Sequence, residues 1–386
     1  MNSVRGSTFP QNLAKLLGSG ARLGGSPPAC DGMKIGWNLG MATSANATEI
    51  SDSLATSGRM HTLMGVRILS LGTALPPRIV TNAELATLGC DPDWIVKRTG
   101  IEERRHAAAG VGTSQLAIQA AEQALERAQV SPRDLDLIVV TTATPDTLIP
   151  STACVVQRHF GCAAPAMDLN AACSGFIYGL VTAAQFVKTG SSRRALVIGA
   201  DLMSRTVNPN DKRTYPLFGD GAGAAILGPG SDEQGLLSYT LGADGLGANL
   251  LCIPGGGSKE PLDAESLQAG RQFLVMDGKP VFKWAVRLVA DSIRDVLRHA
   301  RLETTDIAFA VLHQANRRIL DAAFDSLGLN PEQRVVNVDR VGNTSAASIP
   351  LALDEVYREG RIHSGDHVLL CGFGAGLTWG TAVVRW

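Results

Sequence analysis

The nine residues from Asp168 to Phe176, reading DLNAACSGF, set one cysteine among the smallest side chains. The run that follows, Phe176 to Lys188, is apolar nearly all round and predicts a central helix beginning just past Cys173. A helix N-terminus offers unsatisfied N–H groups and the positive end of the dipole, and both favour a thiolate. A thiolate is a nucleophile. Ala171, Ala172, Ser174 and Gly175 leave room for a carbonyl to meet sulfur and backbone N–H groups together, which is the requirement of an oxyanion hole. On this segment alone, an inert buried cysteine is an equally good reading.

Two later segments carry the other reactive side chains. Leu312-His313-Gln314-Ala315-Asn316 ends an apolar strand, and Val341-Gly342-Asn343-Thr344-Ser345-Ala346-Ala347-Ser348 is a turn of small residues. Neutral imidazole and a carboxamide both donate hydrogen bonds to an oxyanion. Gly-rich loops occur at Phe218 to Gly223 and at Cys371 to Gly380. Neither has the lysine of a P-loop or opens a dinucleotide-binding unit, so phosphate binding is not expected there.

An internal repeat links these segments. Gly65 and Gly72 recur as Gly235 and Gly242, and Asp136 recurs as Asp306, each at a spacing of 170 residues; Asp168 recurs as Asp339 at 171. The pattern predicts two copies of one α/β unit, 64–233 and 234–386, meeting about a pseudo-twofold. Cys173 of the first copy would then face His313 and Asn343 of the second. Chance alignment of α/β periodicity is the competing explanation.

The elements that must position them are legible in outline. Apolar runs predict strands at Val66–Leu71, Leu137–Thr142, Ala195–Ile198, Ala224–Leu227, Ala308–Leu312, Val368–Leu370 and Ala382–Val384, buried on both faces. Helices are expected at Ser114–Ala128 and Val281–His299, the latter apolar at Ala285, Val289, Ile293 and Val296. Residues 1–63 are rich in Gly, Ser, Ala and Thr and read as disordered, as a faint transit-peptide pattern, or as an over-long start ahead of Met64. With 45% hydrophobic residues and a net charge of −1, the 386-residue chain points to neither nucleic acid nor a membrane surface. Seven scattered cysteines without metal spacing suggest a reducing, cytoplasmic setting.

From Met64 to Trp386 these motifs resemble the thiolase superfamily, and within it β-ketoacyl-acyl-carrier-protein synthase III. AACSGF, LHQAN, GNTSAAS, FGDGAGA, GFGAGLTWG and DWIVKRTGI (Asp93 to Ile101) carry the likeness in the family's order. The resemblance implies an α/β, five-layered α-β-α-β-α fold of two duplicated halves, commonly a homodimer. It implies that Cys173 takes the acyl group of a short acyl-CoA, most simply acetyl-CoA, with the N–H groups of Cys173 and Ala375 holding the oxyanion. His313 and Asn343 would stabilise the enolate formed when malonyl-acyl-carrier-protein loses carbon dioxide. No metal or redox cofactor enters this chemistry.

By the same resemblance Trp94, Arg98, Lys212, Phe282 and Asn316 would bind CoA and its pantetheine arm. Lys283, Gln314, Arg317 and Arg318 would meet the carrier protein, and Ile149 and Phe373 would shape the acyl pocket. For the basic residues, ordinary surface charge is a close competitor. Three departures stand out: Ile149 where many acetyl-preferring members have phenylalanine, Lys212-Arg213 for an arginine and a small residue, and Ala375 for glycine. A degradative thiolase using Cys371 as base, a starter enzyme or acyltransferase of secondary metabolism, and an inactive binding subunit are the alternatives.

Overall fold

The computed structural model describes residues 54–386 apart from Cys90. Strands Val66–Ala74, Leu137–Thr141, Ala166–Leu169, Ala195–Leu202 and Asp220–Pro229 form one sheet, in the spatial order first, fifth, fourth, second, third. The second sheet repeats that order with Gly235–Ala243, Thr378–Arg385, His367–Gly374 and Ile307–Leu312. In both, the first and fourth strands run antiparallel to the fifth, and the fourth runs parallel to the second. The third strand of the second copy has shrunk to a parallel bridge between Ala310 and Arg334. This strand-for-strand match is what a duplication produces.

Helices Gly175–Lys188 and Ser348–Arg358 pack between the two sheets. The first is apolar on all sides because all its sides are covered: Phe176, Ile177 and Leu180 share a core with Leu353 and Val356 of the second and with strand residues of both sheets. Thr113–Ala128 and Thr152–Phe160 cover the outer face of the first sheet, and Gly278–Ala300 and Arg317–Leu327 that of the second. The expected five layers are therefore present. On Gly278–Ala300 the expected apolar face, Ala285, Val289, Ile293 and Val296, is fully buried. No described helix is long and apolar enough to cross a membrane.

The reading of residues 1–63 as a disordered extension or an over-long start needs correction at its C-terminal end. His61–Met64 pairs antiparallel with Gly235–Ala243, covering what would otherwise be an open edge of the second sheet. Just before it, Leu54 is buried beside the second sheet's outer helix. Ala55 donates its N–H to the Asp244 carboxylate at 2.8 Å and accepts from Trp284 Nε1 at 3.2 Å, while Thr56 donates to Asp291 at 2.9 Å. A polar, small-residue composition hid these few anchoring contacts. The expectations for residues 1–53 lie outside the described residues.

Leu54→Ala should lower stability by about 2–3 kcal/mol in urea denaturation, the range for a truncated buried leucine. An unchanged midpoint would mean that this segment adds nothing to the fold.

Candidate active site

Two turns, one from each copy, meet at the centre and share an unusual backbone. Asn170 Oδ1 accepts the N–H of Ala172 at 3.1 Å, and Asn343 Oδ1 accepts that of Ser345 at 2.9 Å. Ala172 and Ser345 are both left-handed, with φ of 46° and 51°, a conformation non-glycine residues adopt only under constraint. One 3₁₀ turn follows in each, Ala172–Ser174 and Ser345–Ala347, and then the buried helix. The matching spacing here is 173 residues, so Ala346 is the counterpart of Cys173, and Asn170 that of Asn343. The Asp168/Asp339 landmark does not survive: Asp168 caps the helix Thr152–Phe160, whereas Asp339 lies in the short helix Val338–Val341.

The copies differ where the turns touch the neighbouring strand. A Cβ on Gly199 would lie 2.3 Å from the Ala346 carbonyl oxygen, and one on Gly372 would lie 3.4 Å from that of Cys173, which makes these two glycines equivalent. Two residues further along each strand stand Asp201 and Gly374. Asp201 Oδ2 accepts the Ala346 N–H at 3.0 Å. Gly374 leaves the corresponding space open; a Cβ there would lie 2.8 Å from Cys173 Cβ and 2.9 Å from its nitrogen.

That space belongs to a cavity of about 520 Å³ lined by Cys173, His313, Asn343, Phe373 and Ala375, among others. Cys173 Sγ lies 3.5 Å from Ser345 Oγ. Burial pushes the Cys173 thiol up to about 12, with the Ser345 hydrogen bond acting the other way. This runs against the expected thiolate at rest: the cysteine sits in the enclosed turn ahead of the helix, where loss of water favours the neutral thiol. His313 is 1% exposed, edge-on to Phe373 at 5.1 Å, and burial pushes its imidazole down to about 3. It is neutral at physiological pH. Asn343 spends its oxygen on Ser345 N–H, which leaves Nδ2 as the donor end of the amide.

The first Gly-rich loop has a role that sequence reasoning missed. Asn343 N donates to Leu217 O at 2.8 Å and Gly219 N donates to Asn343 O at 3.0 Å, so this strand entry clamps the Asn343 backbone. A parallel bridge between copies, Phe218 to Asn343, leaves no local periodicity to read.

The remaining expected residues divide by location. Phe282, Asn316, Phe373 and Ala375 line the cavity, and Arg318 stacks on Phe282 at 5.4 Å. Arg318 also shares a shallow depression with Trp94, Lys97 and Arg98, placing these at the cavity mouth. Asn316 is engaged as a helix cap, accepting from Arg318 N and donating to Arg98 O. Lys212, Lys283 and Arg317 are exposed, and Arg317 pairs with Asp321 at 2.7 Å. Ile149 is 89% exposed and outside this chain's cavity, beside the edge strand Ala166–Leu169.

Gln314 is a correction. It is fully buried, donating to Leu312 O and Val335 O and accepting from Asn337 N and Val338 N, so it cannot meet a carrier protein. It faces inward because it follows the buried strand Ile307–Leu312 and supplies the polar partners of a neighbouring loop. Cys371 is buried between Thr381 and Ser292 and does not line the cavity, so the degradative-thiolase role falls away.

Gly374→Ala should leave a folded chain whose Cys173 reacts at least tenfold more slowly with iodoacetamide, because the added methyl would sit 3.2 Å from Sγ. Equal reactivity would show that Gly374 is not what keeps the sulfur accessible.

Comparison with known proteins agrees with this geometry. Family models for 3-oxoacyl-[acyl-carrier-protein (ACP)] synthase III match residues 167–245, and for its C-terminal part residues 297–386. The β-ketoacyl-[acyl-carrier-protein] synthase III of Rhodopirellula baltica is 55% identical over 345 residues, covering 85% of this chain and 100% of its own. The crystal structure of the Thermus thermophilus synthase III superposes with a TM-score of 0.77 at 46% identity, over 83% of this chain and 98% of its own. The priming β-ketosynthase of the R1128 polyketide pathway gives 0.77 at 36% identity, over 84% and 98%. With a relative more than half identical across the whole length of that relative, this chain belongs to the β-ketoacyl-acyl-carrier-protein synthase III family, a family of condensing acyltransferases.

Proposed function

We propose that the chain joins a short acyl group from acyl-CoA, most simply acetyl, to malonyl-acyl-carrier-protein, releasing CoA and carbon dioxide and opening fatty acid biosynthesis. The observation that carries the proposal is the pair of matched turns, with Cys173 on one and Asn343 on the other lining one cavity with neutral His313. Cys173 sulfur attacks the thioester carbonyl, and the oxyanion rests on the N–H groups of Cys173 and Ala375. Support for that hole comes from the other copy, where the equivalent N–H, of Ala346, already donates to a carboxyl oxygen of Asp201. CoA leaves and malonyl-acyl-carrier-protein enters. As carbon dioxide departs, the enolate oxygen takes hydrogen bonds from Asn343 Nδ2 and His313. A cationic imidazole is not needed for this, and burial rules one out near neutrality. The enolate carbon then attacks the acyl thioester. None of these steps calls on a cofactor.

We assign Trp94, Arg98 and Arg318 to CoA at the mouth, Phe282 and Asn316 to the pantetheine path and Phe373 to the acyl pocket; their shared lining of the depression and the cavity supports this. Lys212, Lys283 and Arg317, exposed nearby in sequence or structure, offer positive charge to CoA phosphates or to an acidic carrier protein. Five described cysteines are unpaired, which fits a cytoplasmic setting. We also assign a homodimer. Ala166–Leu169 is an open sheet edge, and beside it Leu148 and Ile149 are 85% and 89% exposed. Two copies joined edge to edge would cover both and would bring Ile149 of each towards the other's site.

The likeness to a polyketide priming synthase supports a second reading, in which the same condensation starts a secondary metabolite. The two differ in primer and acceptor. A panel of acetyl-, branched and long-chain acyl-CoA primers with malonyl-acyl-carrier-protein separates them.

Cys173→Ala should abolish condensation, while His313→Ala and Asn343→Ala should reduce carbon dioxide release from malonyl-acyl-carrier-protein by about 100-fold and acylation much less. Normal condensation by Asn343→Ala would remove the enolate role. Leu148→Asp with Ile149→Asp should convert a dimer to a monomer in analytical ultracentrifugation; a wild-type monomer would contradict the assigned interface.

A further inference from the structure

Asp201 is a buried carboxylate that the condensation scheme does not use. It is 0% exposed. Thr142 Oγ1, Ala143 N, Thr144 N and Thr144 Oγ1 all donate to its Oδ1 at 2.8 to 3.1 Å, and Ala346 N donates to Oδ2 at 3.0 Å. These five donors are hydroxyls and backbone N–H groups, all neutral. Their hydrogen bonds favour the ionised carboxyl, against the burial that raises its proton affinity.

The comparison of the two turns says where that charge is aimed. Three of the spatially equivalent pairs that differ between the copies bear on the sulfur: Cys173 against Ala346, Ala172 against Ser345, and Gly374 against Asp201. All three specialised residues lie together. Ser345 Oγ stands 3.5 Å from the nucleophilic sulfur as acceptor of its S–H, and Ser345 precedes Ala346, whose N–H is on Asp201. The Ser345 turn is thus tied to the Asp201 carboxyl through the Ala346 N–H, and the Ser345 hydroxyl acts against the rise that burial causes there. The first copy supplies the nucleophile and, on a neighbouring strand, the carboxylate, while the second supplies the hydroxyl of Ser345.

We propose that Ser345 and Asp201 form a proton relay that accepts the Cys173 thiol proton when the acyl group arrives. The inference rests on the assignment of Cys173 as acyl carrier. The Cys173 S–H bond breaks and its proton passes to Ser345 Oγ, while the Ser345 hydroxyl proton passes to Asp201, which becomes a neutral acid. The freed sulfur pair forms the bond to the thioester carbonyl carbon. The bond from that carbon to the CoA sulfur then breaks, and the proton returns through Ser345 to the CoA sulfur, which leaves as the thiol. Asp201 is ionised again, and no proton is gained or lost overall. Burial supports the need for such a path: it holds the thiol up to about 12, raises the Asp201 carboxyl above its ordinary value, and pushes His313 down to about 3. His313 is therefore a poor store for the proton at neutral pH. Ser345 touches the reacting sulfur and is a catalytic residue in this scheme; Asp201 acts through it.

The test compares two reactions of Cys173 in the full chain: single-turnover acetylation by labelled acetyl-CoA, and alkylation by iodoacetamide. Asp201→Asn removes the proton acceptor and also a negative charge that raises the thiol. Acetylation should fall by about 100-fold while alkylation becomes faster, a split that general damage to the site does not produce. Ser345→Ala should also slow acetylation at least tenfold. This second variant keeps the proposal open to test if Asp201→Asn does not fold. The relay is overturned if Asp201→Asn acetylates as fast as the wild type, if it slows both reactions alike, or if Ser345→Ala acetylates within twofold of the wild type. A wild-type chain that takes no acetyl group on Cys173 removes the proposed function and the relay with it.

Discussion

The site depends on how closely two backbone turns from opposite copies approach the strands beside them. A Cβ on Gly374 would lie 2.8 Å from Cys173 Cβ, and one on Gly199 would lie 2.3 Å from the Ala346 carbonyl oxygen. At such separations a side chain cannot intervene, so the turn, the strand end and the buried helix behind each turn are held as one unit. The reactive groups inherit that rigidity. Cys173, Asn343 and the backbone of Ala375 need no long side chain to reach a common point, because the turns already meet there. Left-handed Ala172 and Ser345 are the local conformational cost of the arrangement, and the same asparagine hydrogen bond steadies each.

Duplication explains why one turn bears the nucleophile and its counterpart does not. The second turn keeps the whole backbone device but bears Ala346 where the first has Cys173, and its companion strand bears Asp201 where the other has Gly374. With Gly374, space is left for sulfur and a carbonyl. With Asp201, the same space is filled by a carboxylate that satisfies the Ala346 N–H. The Ala346 turn is thus a picture of the Cys173 turn with an oxygen already seated on its N–H. Burial sets the electrostatics of the rest: the same exclusion of water that keeps His313 neutral also keeps the Cys173 proton on until something accepts it.

Much of this was legible in the sequence, and the reasons differ from residue to residue. The strands were readable because they are buried on both faces and so nearly continuously apolar. The duplication showed as a fixed spacing, although the spacing of the turns themselves, 173, was obscured by insertions between landmarks. Cys173, His313 and Asn343 stood out because each sits at the end of an apolar element among small residues. Gln314 was misjudged because a polar residue next to a functional histidine looks like surface until its four hydrogen bonds are seen. The thiol's raised value was likewise invisible, since sequence reports the helix end but not the depth of burial. Leu54 to Met64 escaped notice because a strand at a sheet edge needs only a few residues, and its partner, Gly235–Ala243, lies far along the chain.

The central claim is that the matched turns make Cys173, alone among the cysteines, an acyl carrier. Peptide mass spectrometry after brief mixing with acetyl-CoA, quenched in acid before malonyl-acyl-carrier-protein is added, tests it directly. One acetyl group on the peptide containing Cys173, removed when malonyl-acyl-carrier-protein is supplied, is the predicted result. Acetylation of Cys252 or Cys371 with Cys173 unmodified would contradict the account.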